Sequence, residues 1–445
     1  MGCVTSSEKK QKRMPSSLSI KQPLSIKQKG KTIASIKDDV EIVLYKKDFR
    51  LLYVASDART MTIIQPINSS DHRARIKRQG YYALSHLWGN VKEFPTWDVG
   101  SFITENGYPV DPIPMRPEKR HTLLALLKAY PDTYWWIDVL CVRDDTPLVI
   151  MGDIYKHCKK CYAMLDCAPD LIPKLWEKRK DLKMLQRRYH ELIAANLFQV
   201  DDDDPALIIH ERQEYVKTLI AEEHDSIFEI VQSLFSCRWF DRVWTLQEIV
   251  FPKVVMLISE TCNYDCDKHQ ISFGFIAQQV LGPIVNGDIG CDILQTAVGE
   301  QMAFAIDALG KKLQMVIRCT PLQVDRHNDP VGNAAIFVNM LASIGRCRRT
   351  CTDPRDYVYG VLGLLGMDIP RVDDNPQTVW ITFLSVLDTM LQEHTTIART
   401  GERLLTISSH AWNFRLALAK DSDHVYGMLL DLHFDKEIYN NALSE

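Results

Sequence analysis

At 445 residues, 46% hydrophobic and 25% charged, with a formal net charge of −4, the chain can bury a sizeable core and does not belong with disordered proteins. Residues 1–31 hold eight Lys or Arg against one acid, Glu8. A basic tail on an acidic body argues against a nucleic-acid-binding core and for a tail with its own anionic partner.

Met1-Gly2-Cys3-Val4-Thr5-Ser6 fits the N-myristoylation pattern, with Gly2 as acceptor, and Cys3 beside it is placed for palmitoylation. One acyl chain holds a protein only marginally; Lys9, Lys10, Lys12 and Arg13 add the basic patch that makes attachment to an anionic leaflet durable. Leu18 to Gln28 reads LSIKQ-P-LSIKQ, a short repeat suited to a spacer. Residues 1–39 are therefore expected to form a lipidated, basic, disordered leader, with the folded body beginning near Val40. Twelve scattered cysteines and no apolar signal segment point to a reducing cytoplasmic compartment, and no apolar stretch is long enough to span a bilayer. The expected location is cytoplasmic, at the inner face of a membrane.

The body alternates strand-like and helix-like segments. Tyr81 to Leu84 reads as a strand that runs into Ser85-His86-Leu87-Trp88-Gly89-Asn90. His121 to Tyr130 has helical spacing, with Leu123, Leu124, Leu126 and Leu127 on an apolar face. Trp135 to Val142 is an apolar strand carrying one acid, Asp138. Pro147 to Lys160 reads as a second amphipathic helix, Tyr162 to Leu165 as a third strand, Phe228 to Val250 as a helix, and Val254 to Ser259 as a fourth strand. This order predicts an α/β fold with a doubly wound parallel sheet, a helical insertion at about 170–227 and a helical C-terminal region at 367–445. Asp201-Asp202-Asp203-Asp204, followed by Pro205, reads as a solvated surface run, because consecutive acids on a loop do not converge on one ion without a tight turn.

Four ordered blocks carry a family resemblance. Tyr82-Ala83-Leu84-Ser85-His86-Leu87-Trp88-Gly89, then Trp136-Ile137-Asp138-Val139-Leu140-Cys141, then Trp239-Phe240-Asp241-Arg242-Val243-Trp244-Thr245-Leu246-Gln247-Glu248 resemble the three blocks of the HET (heterokaryon incompatibility) domain. Thr352-Asp353-Pro354-Arg355-Asp356-Tyr357-Val358-Tyr359-Gly360-Val361-Leu362-Gly363 resembles the segment that commonly follows them. The second block runs on as Cys141-Val142-Arg143-Asp144 where the family usually has a polar amide pair, and His86 stands where it favours Tyr. The resemblance implies a HET domain over 40–366, with core blocks in 81–260, acting in self/non-self recognition, innate immunity and programmed cell death.

HET domains are in turn similar to TIR domains, which implies a TIR-like, flavodoxin-like sheet. Trp244-Thr245-Leu246-Gln247-Glu248 has the W-x-x-x-E spacing that resembles the catalytic-glutamate motif of TIR-type NAD glycohydrolases. Residues four apart share one helix face, so Trp244 can pack beneath a pocket into which Glu248 projects. Cleaving the N-glycosidic bond of NAD expels neutral nicotinamide and needs no general acid, so one carboxylate suffices to stabilise an oxocarbenium-like transition state. Glu248 is the catalytic candidate. Ser85, Trp88, Gly89, Asp138 and Trp244 are the substrate-binding candidates, the first three lying at the carboxyl end of a strand, where open α/β sheets bind ligands. The plain structural readings stand beside these: Glu248 in an ion pair, for example with Arg242, Trp88 and Trp244 as core aromatics, and Asp138 as a helix cap or a partner of Arg242.

Two classes of function follow from the resemblance, an NAD-consuming enzyme switched on by self-association and a non-catalytic scaffold for signalling and oligomerisation. No resident cofactor is expected, with NAD as substrate. No metal is expected either: Cys158-x-x-Cys161 is read as two core-facing positions of one helix, and Cys262, Cys266 and His269 form the best remaining zinc-type cluster. A P-loop, a G-x-G-x-x-G and a G-x-S-x-G are absent from the sequence.

Overall fold

The architecture is that of a computed structural model, which describes residues 40–88, 96–98, 100, 102–143, 146–148, 150–184, 187, 227, 229–262, 264, 268–277, 279, 337–338, 340–345, 347–371, 375–395 and 405–431. Its first strands are two short apolar runs, Leu51–Val54 (β1) and Met61–Ile64 (β2), paired antiparallel with Leu51 opposite Ile64. Asp57 closes the turn between them: its Oδ1 accepts from the backbone N–H of Arg59 (2.9 Å) and Thr60 (3.1 Å), the local bonding that favours Asp in turns.

The remaining strands are Tyr82–His86 (β3), Thr96–Trp97 (β4), Phe102–Thr104 (β5), Ile113–Pro114 (β6), Thr133–Ile137 (β7), Lys160–Leu165 (β8), Val255–Ser259 (β9) and Ile271–Ser272 (β10). Eight of them form one sheet in the order β10-β9-β8-β3-β7-β1-β2-β5, and β4 pairs with β6 apart from it. β3 runs parallel to both β7 and β8, and β8 parallel to β9, whereas β1 is antiparallel to β7 and β10 to β9. The sheet is thus mixed and mostly parallel. Within the parallel core the spatial order is second, first, third, fourth in chain order. The direction of winding therefore reverses between β3 and β8, and the carboxyl ends of strands at such a reversal are where open α/β sheets bind ligands. All five residues of β3 are buried, as expected of a strand covered on both faces.

Helices Ser70–Gln79 (α1), Pro117–Ala129 (α2), Asp138–Cys141 (α3), Ile150–His157 (α4) and Leu171–Glu177 (α5) pack around the sheet. α2 starts with Pro117, whose missing N–H costs nothing in a first turn, and buries Lys119, Thr122, Leu123, Leu126 and Leu127. Each of those leucines stabilises the fold by roughly 1.5–3 kcal/mol through burial. Thr245–Val250 (α6) and Phe273–Ile276 (α7) come next. Asp356–Tyr359 (α8), Leu362–Leu365 (α9), Pro376–Thr395 (α10), Ser409–Asn413 (α11) and Ser422–Tyr426 (α12) build a second apolar core around Trp380, Phe383, Leu384 and Tyr426. α6 lies between the two cores: Val243, just before it, and Leu246 belong to the second, Ile249 to the first.

Five elements differ from the sequence expectation. β1 and β2 precede the strand expected as first, and their antiparallel pairing leaves the sheet less than fully parallel. The apolar run expected as a strand from Trp135 to Val142 ends at Ile137, after which Val142 N–H donates to the Asp138 carbonyl (2.8 Å) and closes a helical turn. The helix expected over 147–160 ends at His157, so Cys158 follows a helix and Cys161 lies in β8; Lys159 N–H has turned to the Tyr81 carbonyl (2.7 Å). The helix expected over 228–250 is interrupted at Arg238–Asp241, because the backbone there bonds to a later segment: Thr350 N–H donates to the Asp241 carbonyl (2.6 Å) and Val243 N–H to the Thr350 carbonyl (3.1 Å). The acidic run at 201–204, and all but two residues of the insertion beyond 184, lie outside the described residues.

Candidate functional site

At the carboxyl end of β3 two carboxyl groups are held by neighbouring residues. Ser85 Oγ donates to Glu248 Oε2 and in turn accepts from Trp239 Nε1 (2.7 Å). His86 Nε2 lies 3.1 Å from Asp138 Oδ1, while Trp88 Nε1 donates to Asp138 Oδ2 (2.5 Å) and Val139 N–H to Asp138 Oδ1 (2.7 Å). Alternation along β3 explains the split: Ser85 and His86 leave the strand on opposite faces, one toward α6 and the other toward α3.

The environments drive the two carboxyls apart. Burial, the largest influence on Glu248, pushes its pKa up to about 7; the Ser85 hydrogen bond opposes this, the Asp138 charge adds to it, and the Arg242 and Arg349 charges oppose it. For Asp138 burial is again the largest influence and acts upward. The charge and hydrogen bond of His86, with the Trp88 and Val139 donors, outweigh it together and hold the carboxyl below its usual range. Near neutral pH Asp138 is ionised and Glu248 is close to its midpoint. Such a divergence between adjacent carboxyls is the arrangement from which acid and base roles are made.

A third buried group stands beside them. Lys119, fully buried on α2, donates from Nζ to the Leu87 carbonyl, lies 3.4 Å from His86 Nδ1 and 3.3 Å from Glu260 Oε2. Burial and the neighbouring Arg116 charge lower its pKa to about 7, against the opposing pull of Asp138 and Asp166. Arg116 also pairs with Glu260, just past the end of β9.

The residues expected from the sequence are brought together in part. Ser85 and Glu248 are bonded to each other, and Asp138 and Trp88 likewise. Glu248 is 6% exposed and Trp88 47%, so one lies inside and the other at the surface. Trp244 turns elsewhere: its indole bonds to Asp356 of α8, whose carboxyl burial raises to about 6. Gly89, Gly2 and Cys3 lie outside the described residues.

The sequence reading passed over Lys119, Trp239 and Arg349 as site residues. Lys119 carried a usable signal, since it shares the i, i+4, i+7, i+8 face with Leu123, Leu126 and Leu127 and a lysine on an apolar face needs a partner. Arg349 carried none. From far along the chain, its Nη1 donates to the Arg242 carbonyl and to Thr245 Oγ1, both at 2.7 Å, and Thr245 Oγ1 donates to the Trp239 carbonyl (2.6 Å). Among the described residues no group of three or more His, Cys, Asp or Glu is arranged to hold a metal ion, and no helix is long and apolar enough to cross a membrane.

Fold and cluster together define an α/β protein with a polar site at the switch point of a mostly parallel sheet. Residues 81–248, less than half of the chain, match the family model described as Heterokaryon incompatibility protein (HET), and the match supports that family for this segment. Its limits enclose Ser85, His86, Trp88, Lys119, Asp138, Trp239 and Glu248. No curated protein and no solved structure matches the chain.

Proposed function

We propose that this is a HET protein of self/non-self recognition and cell-death signalling whose site cleaves NAD between ribose and nicotinamide, as in TIR-type NAD glycohydrolases. The observation that carries the reading is the pair of carboxyls at the carboxyl end of β3, Asp138 kept ionised and Glu248 pushed up to about 7. The strand order of the parallel core, which is that of flavodoxin-like sheets, supports the TIR-like comparison.

The chemistry assigned to the site is simple. The glycosidic C–N bond breaks with its electron pair going to nicotinamide, which leaves neutral. Anionic Asp138, with Glu248 in its ionised form, stabilises the positive charge on the ribose, and a water adds to the anomeric carbon, passing its proton to Glu248. Trp88 offers an exposed indole for a base to stack on, its edge held by Asp138.

The scaffold reading draws on a different observation, the burial of Glu248 and the engagement of its Oε2 by Ser85. Nicotinamide release by the purified full chain separates the two. Wild type is expected to turn over NAD, with Glu248→Gln and Asp138→Asn each slower by about two to three orders of magnitude. Absence of turnover by wild type after self-association has been induced would leave the scaffold function standing. Membrane attachment through Gly2, Cys3 and the basic run belongs to the same proposal; Gly2→Ala is expected to move the protein into the soluble fraction of cells, and an unchanged distribution would remove the anchor.

A further inference from the structure

The face around α1 takes no part in the carboxyl site and mixes cations with exposed apolar groups. Residues 65–79 hold four Lys or Arg against one acid, Asp71, in a chain whose net charge is −4. Of the residues of α1 only Ile76 is buried, so the helix lies on the surface. Beside it, residues 40–44 are helical and their neighbourhood divides: Val43 and Leu44 are fully buried, whereas Ile42 is 50% exposed and Tyr45 53%. The inner pair serves the core, and the outer pair does not.

Contacts join these groups into one surface. Arg73 lies over the Tyr45 ring, its Cζ 5.3 Å from the centroid, and Lys77 Nζ stands 5.6 Å from the same centroid. Arg73 Nη1 also donates to the carbonyls of Pro66 (2.8 Å) and Ile67 (2.6 Å), which places Ile67, 37% exposed, at the edge of the patch. Three exposed apolar side chains are thus interleaved with cations. Lys77 pairs with Glu41 and Arg75 with Asp132, but these are half-exposed pairs of the kind that contribute little and exchange partners readily. Arg73, Arg78 and Lys47 have no acidic partner among the described residues.

We infer that this face, with Ile42, Tyr45 and Ile67 set among Arg73, Lys77 and Arg78, is a docking surface of the folded body for an anionic lipid leaflet. The chemistry of the patch selects this occupant. Phosphate and carboxylate headgroups meet the cations, while the isoleucines and the Tyr ring enter the boundary between headgroups and acyl chains. Tyr suits that boundary because its ring is apolar and its hydroxyl polar. A nucleic acid would satisfy the cations and leave Ile42 and Ile67 against water. A second copy of the same face would bring like charges together, and so would the leader, with eight Lys or Arg in residues 1–31. The point where the leader joins the body favours the leaflet as well. Residue 39 is followed directly by the helical residues 40–44 that present Ile42, so a basic leader drawn to an anionic surface delivers this face to it. On its own such a face binds weakly; on a tethered body it sets the orientation. The inference extends the membrane attachment proposed through Gly2 and Cys3 and shares none of its residues.

The test uses the full chain as Gly2→Ala, so that no acyl chain contributes, with vesicles of phosphatidylcholine alone or mixed with phosphatidylserine. Hydrogen–deuterium exchange is expected to slow in peptides covering 40–47 and 65–79 on the mixed vesicles and to stay unchanged on phosphatidylcholine. Adding Ile42→Ser and Ile67→Ser together should weaken partitioning onto the mixed vesicles by roughly tenfold, because both side chains enter the interface. Leu418→Ser, at a residue 65% exposed beside the second core, should leave partitioning unchanged. All three positions are at the surface, and an unaltered near-ultraviolet circular dichroism spectrum checks that the variants fold. No slowing at 40–47 and 65–79, including slowing confined to residues 1–39, would overturn the inference. Equal slowing by duplex DNA at matched charge would overturn it too, as would full-strength partitioning of the protein carrying Ile42→Ser and Ile67→Ser. The distribution of Gly2→Ala in cells tests the anchor alone and leaves these outcomes untouched.

Discussion

Glu248 shows what a single buried carboxyl costs and how that cost can be measured. Its pKa rises from 4.5 in the unfolded chain to about 7 in the folded protein, so the folded state holds the proton more tightly. The contribution to stability is therefore most favourable below pH 4.5, declines as the pH climbs and is gone above about 7. Glu248→Gln keeps an amide in the same place and never ionises. The stability of the variant relative to wild type should grow between pH 5 and pH 8 by on the order of 3 kcal/mol, which urea denaturation at several pH values would read. Lys119 and Asp356 also titrate in this window, but they do so in both proteins and cancel from the difference. A difference that does not change with pH would mean that Glu248 is ionised throughout, and its role as the group near its midpoint would fall with it. Asp138 is the contrasting case, half-buried and held ionised by four favourable contributions from His86, Trp88 and Val139.

At the scale of elements, the junction of α4, α6 and α9 explains the glycines that come after the third sequence block. Gln247 Nε2 donates to the Gly360 carbonyl (2.7 Å). A Cβ on Gly360 would stand 2.5 Å from Val243 Cγ1 and 2.9 Å from the Asp356 carbonyl oxygen; one on Gly363 would collide with Gln247 Oε1 and stand 3.2 Å from the Cα of Gly152. Gly360→Ala, blocked by a backbone oxygen, is expected to cost about 3 kcal/mol, and Gly363→Ala, whose nearest obstacle is the movable end of a side chain, about 1 kcal/mol. Thermal or urea denaturation would rank them, and equal or reversed costs would show that the junction yields differently. The same elements mark how far the sequence could be read. The parallel strands β3, β7, β8 and β9 were legible because burial on both faces leaves continuous apolar runs. β1 and β2, four residues each, were too short to carry a period. The break before α6 was invisible because its cause, Thr350, lies about a hundred residues later. At the site, Glu248 was singled out by motif spacing, and Ser85, Trp88 and Asp138 by their places at the ends of strands. The turn of Trp244 toward Asp356 was set by the second core, and spacing within one helix could not disclose it.

For the whole molecule the question is whether the segment that matches the HET family can stand by itself. Its last helix is tied to later parts of the chain. Val243 and Leu246 are buried in the second core, Trp244 bonds to Asp356, and Val243 N–H donates to the Thr350 carbonyl. Buried Arg349 spans from beyond the matched residues to the Arg242 carbonyl and Thr245 Oγ1, beside Glu248. Without these partners α6 would expose one apolar face and lose the donors that satisfy its entrance, each unsatisfied buried group costing about 1–3 kcal/mol. A fragment of residues 40–277, which keeps every strand of the sheet among the described residues, should therefore retain far-ultraviolet circular dichroism but lose near-ultraviolet signal, bind the dye ANS and melt without a sharp transition, whereas the full chain melts cooperatively. Arg349→Met in the full chain should move in the same direction by a smaller amount, because the second core remains to cover Val243 and Leu246. A 40–277 fragment that melts as sharply as the full chain and at the same temperature would show that the carboxyl pair is held by the sheet alone, and the later segments would then lose the structural role assigned to them at the site.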